Sequence, residues 1–270
     1  MKAFFEEKMR AIAAKKENTH VWVQTLGNFQ VRRHGAVVAP KEWGRSKTVE
    51  LFEFLITSRH RKAQHKEQIL DRLWEEDLDS GDSYFKVALH GINKVLEPAR
   101  KSHADTQYIT RQGLAYQLNA DAIWIDADAL EAYIALGNQL LNDAPKMAQL
   151  AFREAIELHR GVYLPDRLYE DWPCDERERL QVLTLGAIVT LSELIITENP
   201  MESVRLTQQA LLIDPTWEDA YRIQMQAYFQ KGNRPMAIKT YQQCEKMLKA
   251  EFGVAPLPET KQLFQKISSV

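Results

Sequence analysis

Apolar positions in the first half of the chain change period several times, and each change marks an element. Residues 2–17 put Phe4, Phe5, Met9 and Ile12 on one side of a short amphipathic helix. So short a helix is marginal alone in water and needs a surface to lie on. From Val21 the pattern becomes alternating: VWVQTLGNFQV runs through a Gly-Asn corner, Arg33-His34-Gly35 offers a turn, and AVV returns as a short strand. Three helical patterns follow. Lys47–Ser58 carries Val49, Leu51, Phe52, Leu55 and Ile56; His65–Trp74 carries Ile69, Leu70, Leu73 and Trp74; Ser83–Leu96 carries Phe85, Val87, Leu89, Ile92, Val95 and Leu96. Glu75 to Asp82 reads as an acidic loop with Asp or Ser ready to cap the third helix, and Pro98 ends that helix. The segment QYITRQGLAYQLN then signals a hairpin, with Gly113 at its tip and Leu114, Tyr116 and Leu118 on one face.

From Ala120 onward the signal is nearly all helical and repeats. Leu194 and Tyr228, Ser203 and Ala237, and Ala210 and Cys244 are each 34 residues apart, the period of a tetratricopeptide helix pair. An earlier copy at QLAFREAIELH places Ala148, Phe152 and Ala155 equivalently, and GVYLPDRLYEDWPCDE reads as an insertion after it. The fold class expected is an α+β winged helix-turn-helix domain followed by an all-α, tetratricopeptide-like helical domain. The boundaries expected are an N-terminal amphipathic helix at 1–19, the winged helix at 20–119 and the helical domain at 120–270.

The phrases TLGNFQV, HKEQILDRLW, FKVALHGINKVLEP, ITRQGLAYQLN, IWIDADALEAYI, LHRGVYLPDRLYEDW and KMLKAEFGVAPLPET occur in that order. Together they resemble bacterial regulators that join an OmpR-type winged helix-turn-helix to a bacterial transcriptional activation domain, as in the Streptomyces antibiotic regulatory proteins. The resemblance runs from about Val21 to the C-terminus. It implies a non-enzymatic regulator that binds double-stranded promoter DNA through its third helix and wing. It further implies an acidic loop that faces RNA polymerase, and a helical domain that forms a homodimer or senses an effector. The family's usual Arg-Leu-Arg core in the third helix is Gly91-Ile92-Asn93 here.

On that helix the candidate DNA contacts are Ser83, Tyr84, Lys86, His90, Asn93 and Lys94, with Asn93 suited to adenine and the lysines to phosphates. Thr110, Arg111 and Gln112 are candidates at the wing, and Arg45 and Lys47 lie before the first helix, near its positive N-terminus. Charge agrees with this division in direction: residues 20–118 hold 15 Lys/Arg against 12 Asp/Glu, whereas 119–270 hold 15 against 22. In the insertion, Arg160, Tyr163, Arg167, Tyr169, Trp172 and Arg177 form a candidate site for a small anionic effector, with Arg179 nearby. The competing reading is a signalling adaptor or nucleotide-like sensor with a degenerate winged helix.

Other chemistry is excluded by what the motifs require. No Walker loop, dinucleotide-binding glycine pattern or nucleophile elbow occurs, so no cofactor is expected. His60, His65, His90 and His103 do not combine with the two cysteines in any zinc spacing, so no metal is expected. The roles expected of Cys174 and Cys244 are buried small hydrophobe and surface thiol. Trp22, Trp43, Trp74 and Trp124 read as packing residues. Asp126/Asp128 and Asp175/Glu176 stand where helices start and read as caps. With no apolar run of membrane length and no secretory leader, a cytoplasmic location is expected.

Overall fold

The computed structural model describes residues 1–74, 78–101 and 104–269. Its helices are α1 (Lys2–Asn18), α2 (Pro40–Trp43), α3 (Ser46–Thr57), α4 (Lys66–Leu73), α5 (Leu78–Leu96), α6 (Asp126–Leu140), α7 (Pro145–Leu158), α8 (Cys174–Ile195), α9 (Pro200–Ile213), α10 (Glu218–Gln230), α11 (Arg234–Phe252) and α12 (Pro258–Ser269). The strands are β1 (Val21–Gln24), β2 (Gln30–Arg33), β3 (Ala36–Val37), β4 (Gln64–His65), β5 (Ile109–Gln112), β6 (Ala115–Leu118) and β7 (Ile123–Ile125). Two compact units result. One holds residues 7–130 and 158–180; the other holds 1–6, 131–157 and 181–270.

The first unit is a winged helix-turn-helix. Its four-stranded sheet has the order β3-β2-β1-β7, with β1 and β2 antiparallel and β7 parallel to β1. Val21, Val23, Val31, Ile123 and Ile125 are buried, as alternation demands of a strand with one face on a core. A second sheet, β4-β6-β5, contains the hairpin. Gln112 pairs with Ala115, so the wing turns on two residues; Gly113, at a φ of 63°, supplies the left-handed conformation that this tip needs. Phe52, Leu55, Ile69, Phe85, Ile92 and Leu118 fill the space between α3, α4, α5 and the wing.

Several expectations need correction. Ile123–Ile125 is a strand, although the chain beyond Ala120 read as helical; three consecutive buried apolar residues carry no period that separates helix from strand, and pairing with β1 decides it. Short pieces at Pro40–Trp43 and Gln64–His65 gave no sequence signal. Helix α5 begins at Leu78 rather than Ser83, so the second half of the expected acidic loop is helical. Glu75–Asp77 of that loop, and His103, lie outside the described residues. Leu114 is exposed at the wing tip, whereas Tyr116 and Leu118 are buried.

A buried carboxylate ties the sheet to the start of α6. Asp126 accepts hydrogen bonds from the Thr25 N–H (2.8 Å), the Thr25 hydroxyl (2.6 Å), the Leu26 N–H (3.0 Å) and the Ala127 N–H (2.9 Å). It is therefore more than the helix cap that its position suggested, because three of its four donors sit at the end of β1. Leu26 also bridges to Tyr163, and the Leu164 N–H donates to the Thr25 carbonyl, so residues 161–164 extend this edge.

The second unit is helical: α9 packs on α10, α10 on α11, and α12 on both α10 and α11. Small residues stand where helices approach: Ala148, Ala151, Ser203, Ala210, Ala237 and Cys244 are fully buried. The Ser203 hydroxyl donates to the Ser192 carbonyl (3.0 Å), and Tyr241 stacks on Phe264 at a centroid distance of 4.0 Å. Cys174 is exposed and Cys244 is buried.

Asp126→Asn is expected to destabilise the protein by about 2 kcal/mol. The amide must turn a donor toward backbone N–H groups that have no other acceptor. Urea unfolding followed by circular dichroism measures this, and an unchanged midpoint contradicts the anchoring role.

Candidate nucleic-acid interface

Helix α5 is amphipathic from Ser83 to Leu96. Phe85, Ala88, Ile92, Val95 and Leu96 are buried, and Ser83, Tyr84, Lys86, Val87, His90 and Lys94 are exposed. Beside it stands the wing, where Thr110, Arg111 and Gln112 are also exposed. Between helix and wing runs a groove of about 400 Å³, lined among others by Lys66, Lys86, His90, Asn93, Arg111 and Leu114. Arg111 lies along the wing: its Nε donates to the Gly113 carbonyl (2.7 Å), and its guanidinium stands 5.7 Å from the Tyr116 ring centroid. Its charge remains open to solvent.

The two positions where the family carries arginine look different in three dimensions. Gly91 faces α3, and a Cβ built there lies 2.8 Å from Thr48 Cγ2 and 3.1 Å from its hydroxyl. Position 91 is thus a close approach between α3 and α5. Asn93 was expected on the exposed side but is buried; its side-chain oxygen has no hydrogen-bond partner, and it lines the floor of the groove. The helix is rotated so that 86, 90 and 94 face outward and 93 turns toward the wing.

The cations of this face are not equally available. Asp82 accepts from Lys66 and pairs with Lys86 at 2.6 Å, and these two ammonium groups hold its carboxyl down to a pKa of about 2. Lys47 is half-buried; its ammonium meets Glu50 at 2.9 Å, donates to the Leu73 carbonyl at 2.5 Å and lies over Trp74. Arg45 is exposed at the N-terminus of α3. It lines a second cleft, of about 680 Å³, together with Lys47, Arg72, Trp74, Tyr84 and Val87. Sequence reasoning missed Lys66 and Arg72, which lie on α4. Helical spacing on α5 carries no information about which residues of another helix share its face.

The proposed effector residues occupy several places. Tyr163 is fully buried, its hydroxyl 2.9 Å from that of Thr57. Trp172 is buried edge-on to Phe54 at 5.7 Å. Arg167 pairs with Glu53 at 2.6 Å and lies 3.9 Å from Glu50. Arg177 donates to the carbonyls of Tyr163 (3.2 Å) and Arg167 (2.8 Å), and Arg160 donates to the Gln24 side chain (2.9 Å). Tyr169 is fully exposed. Arg160, Arg167 and Trp172 border three different clefts, so the set does not converge on one cavity. Instead the segment covers α3. Arg59, also buried, donates to Asp128 at 2.6 Å and pairs with Glu176 at 3.0 Å, which in turn pairs with Arg179. Asp128 and Glu176 thus serve as counter-ions as well as standing at helix starts.

Residues 125–268, more than half of the chain, match the bacterial transcriptional activator domain family, and the chain belongs to that family. The family is one of transcriptional regulators, not of enzymes. The fold is similar to that of Mycobacterium tuberculosis EmbR in complex with a low-affinity phosphopeptide, with a TM-score of 0.80 and 17% identity over 93% of this chain. The match spans 65% of that chain, and at this identity the likeness is one of fold. No curated protein matches. Among the described residues no helix is long and apolar enough to cross a membrane.

Two measurements test this geometry. Gly91→Ala is expected to lower stability by about 1 kcal/mol despite the helix propensity it gains, because Thr48 is buried and β-branched. In a Thr48→Ala background the same change is expected to stabilise by up to about 1 kcal/mol. A double-mutant cycle in urea reads the reversal, and an effect of one sign in both backgrounds contradicts the close approach. Glu53 gives a pH test. Burial raises its carboxyl to about 7, although Arg167 opposes the rise. Below the unfolded value of 4.5 the group is protonated in both states. Between 4.5 and 7 only the unfolded chain gives up the proton, so stability falls through that window by up to roughly 3 kcal/mol and is level above it. Glu53→Gln is therefore expected to gain stability relative to the natural protein on going from pH 5 to pH 8.

Proposed function

We propose that this protein is a DNA-binding transcriptional regulator that lays α5 in the major groove and sets the wing on the flanking backbone. The observation that carries the reading is the exposed face of α5, with Tyr84, Lys86, His90 and Lys94, along which Lys86 and His90 share a groove with Arg111 of the wing. In this reading Tyr84 and His90 meet base edges, Lys94 and Arg111 meet phosphates, and Ser83, Thr110 and Gln112 add neutral hydrogen bonds to the backbone. Arg45, near the positive end of α3, supplies a further phosphate contact, whereas Lys47 contributes less because Glu50 already pairs with it. Asn93, low in the groove, reads a base only if the groove opens. RNA polymerase is the partner on activation, and the helical unit serves for homodimerisation or for receiving an effector. A dimer would read two half-sites about one helical turn, or a multiple, apart.

A second reading has an observation in its favour. The middle of α5 contributes no arginine, and Lys86 and Lys47 are already paired, which suits a winged helix retained as a scaffold for an adaptor or ligand sensor. Selection from a randomised duplex pool, followed by affinity measurements at several salt concentrations, separates the two. A regulator enriches a shared sequence, and its affinity falls steeply with salt. Arg111→Ala and Lys94→Ala are each expected to reduce the log–log salt slope by about 1. No enrichment, with millimolar affinity at low salt, selects the adaptor.

A further inference from the structure

We propose that Asp82 restrains the DNA-binding face: it withholds Lys66 and Lys86 from phosphates, lowers the affinity for duplex of arbitrary sequence, and so raises selectivity. This rests on the DNA-binding reading above.

Asp82 sits in the early part of α5, at the mouth of the groove between helix and wing, between the exposed ammonium of Lys86 one turn along and the less exposed Lys66 on α4. Its two oxygens are divided between the two lysines, Oδ1 toward Lys66 and Oδ2 toward Lys86. A carboxylate on a face that meets a polyanion has an electrostatic cost there, and no helix-stabilising need accounts for both of its partners. Lys86 alone would make an ordinary i,i+4 pair worth a few tenths of a kcal/mol. Lys66 comes from elsewhere. Its own N–H donates to the Leu114 carbonyl at the wing tip (2.8 Å), so the Lys66–Asp82 pair joins wing, α4 and α5 at one point.

The consequence for binding is specific. Phosphate contacts give affinity for any duplex, while base contacts distinguish sequences. With Asp82 ionised, Lys86 can neutralise a phosphate only by leaving its partner, and the approaching strand meets a negative charge between two positive ones. Affinity for arbitrary DNA falls. The contacts of His90, Tyr84, Lys94 and Arg111 are untouched, so their relative weight in recognition rises.

Fluorescence anisotropy with a labelled 30-base-pair duplex of mixed sequence tests the idea, alongside the best duplex from the selection above. Asp82→Asn keeps the shape of the side chain and removes its charge. It is expected to bind the mixed duplex roughly threefold to tenfold more tightly at low salt, with a salt slope steeper by about 1 to 2, and to lose part of its preference for the selected duplex. Lys86→Gln is expected to flatten the salt dependence more in the Asp82→Asn background than in the natural sequence, which a purely structural Asp82 does not produce. Thermal melts confirm that both variants fold. If the natural protein binds with an Arg111-dependent slope but Asp82→Asn leaves affinity and slope unchanged or lowers them, the restraint is overturned and the DNA-binding reading survives. If neither protein binds duplex in a salt-dependent way, both fall.

Discussion

Helix α3 is buried on nearly every side, yet it and the turn that follows it carry Glu50, Glu53 and Arg59 inward. Charges taken out of water cost several kcal/mol each unless paired and hydrogen-bonded, so this helix can exist only with counter-ions brought to it. Most come from far along the chain, Arg167 for Glu53 and Asp128 and Glu176 for Arg59, while Glu50 meets Lys47 of the same helix. The remaining arrangement of the unit follows. Because α3 is held by its own charges, its Thr48 presents a fixed wall, and α5 can approach that wall only through Gly91. The close approach at Gly91 and the burial of Phe85, Ile92 and Val95 fix the rotation of α5, and hence which residues face outward.

This gives the segment at 158–180 a physical purpose. Its aromatic and arginine content suits an anionic ligand when read as composition, but most of those groups meet the protein itself. Tyr163 and Trp172 bury their rings against the unit that holds α3, Arg167 answers its carboxylates, and Arg177 satisfies carbonyls of the segment. The segment completes the winged-helix unit as a cover. Its backbone also extends the end of β1, next to the Asp126 anchor. The family match from residue 125 therefore includes the start of α6 and the covering segment of that unit as well as the helices of the other.

The interface shows how charge can be positioned without being available. Counting lysines and arginines on α5 and the wing overstates the positive field, because Asp82 and Glu50 answer three of the lysines nearby. What stays open to solvent is a smaller set, chiefly Arg111, Lys94 and Arg45. A face so arranged favours recognition by a few contacts over strong, indiscriminate attraction.

Much of this was legible in the residues themselves. Helices α3, α4 and α5, the hairpin and the 34-residue repeat were all visible, because hydrophobic period is a local property that packing rarely overrides across four or five turns. The buried small residues at Ala210, Ala237 and Cys244 were visible for the same reason. Tertiary structure decided what depends on partners distant in sequence. It made Ile123–Ile125 a strand by laying it beside β1, turned Asn93 inward, gave Lys86 an acidic neighbour shared with Lys66, and assigned Arg167 to α3. Periodicity tells a side chain which way to point relative to its own helix. Only the folded chain determines what is waiting there, since a charge or a hydrogen bond acts over a few ångströms and is indifferent to the number of residues between.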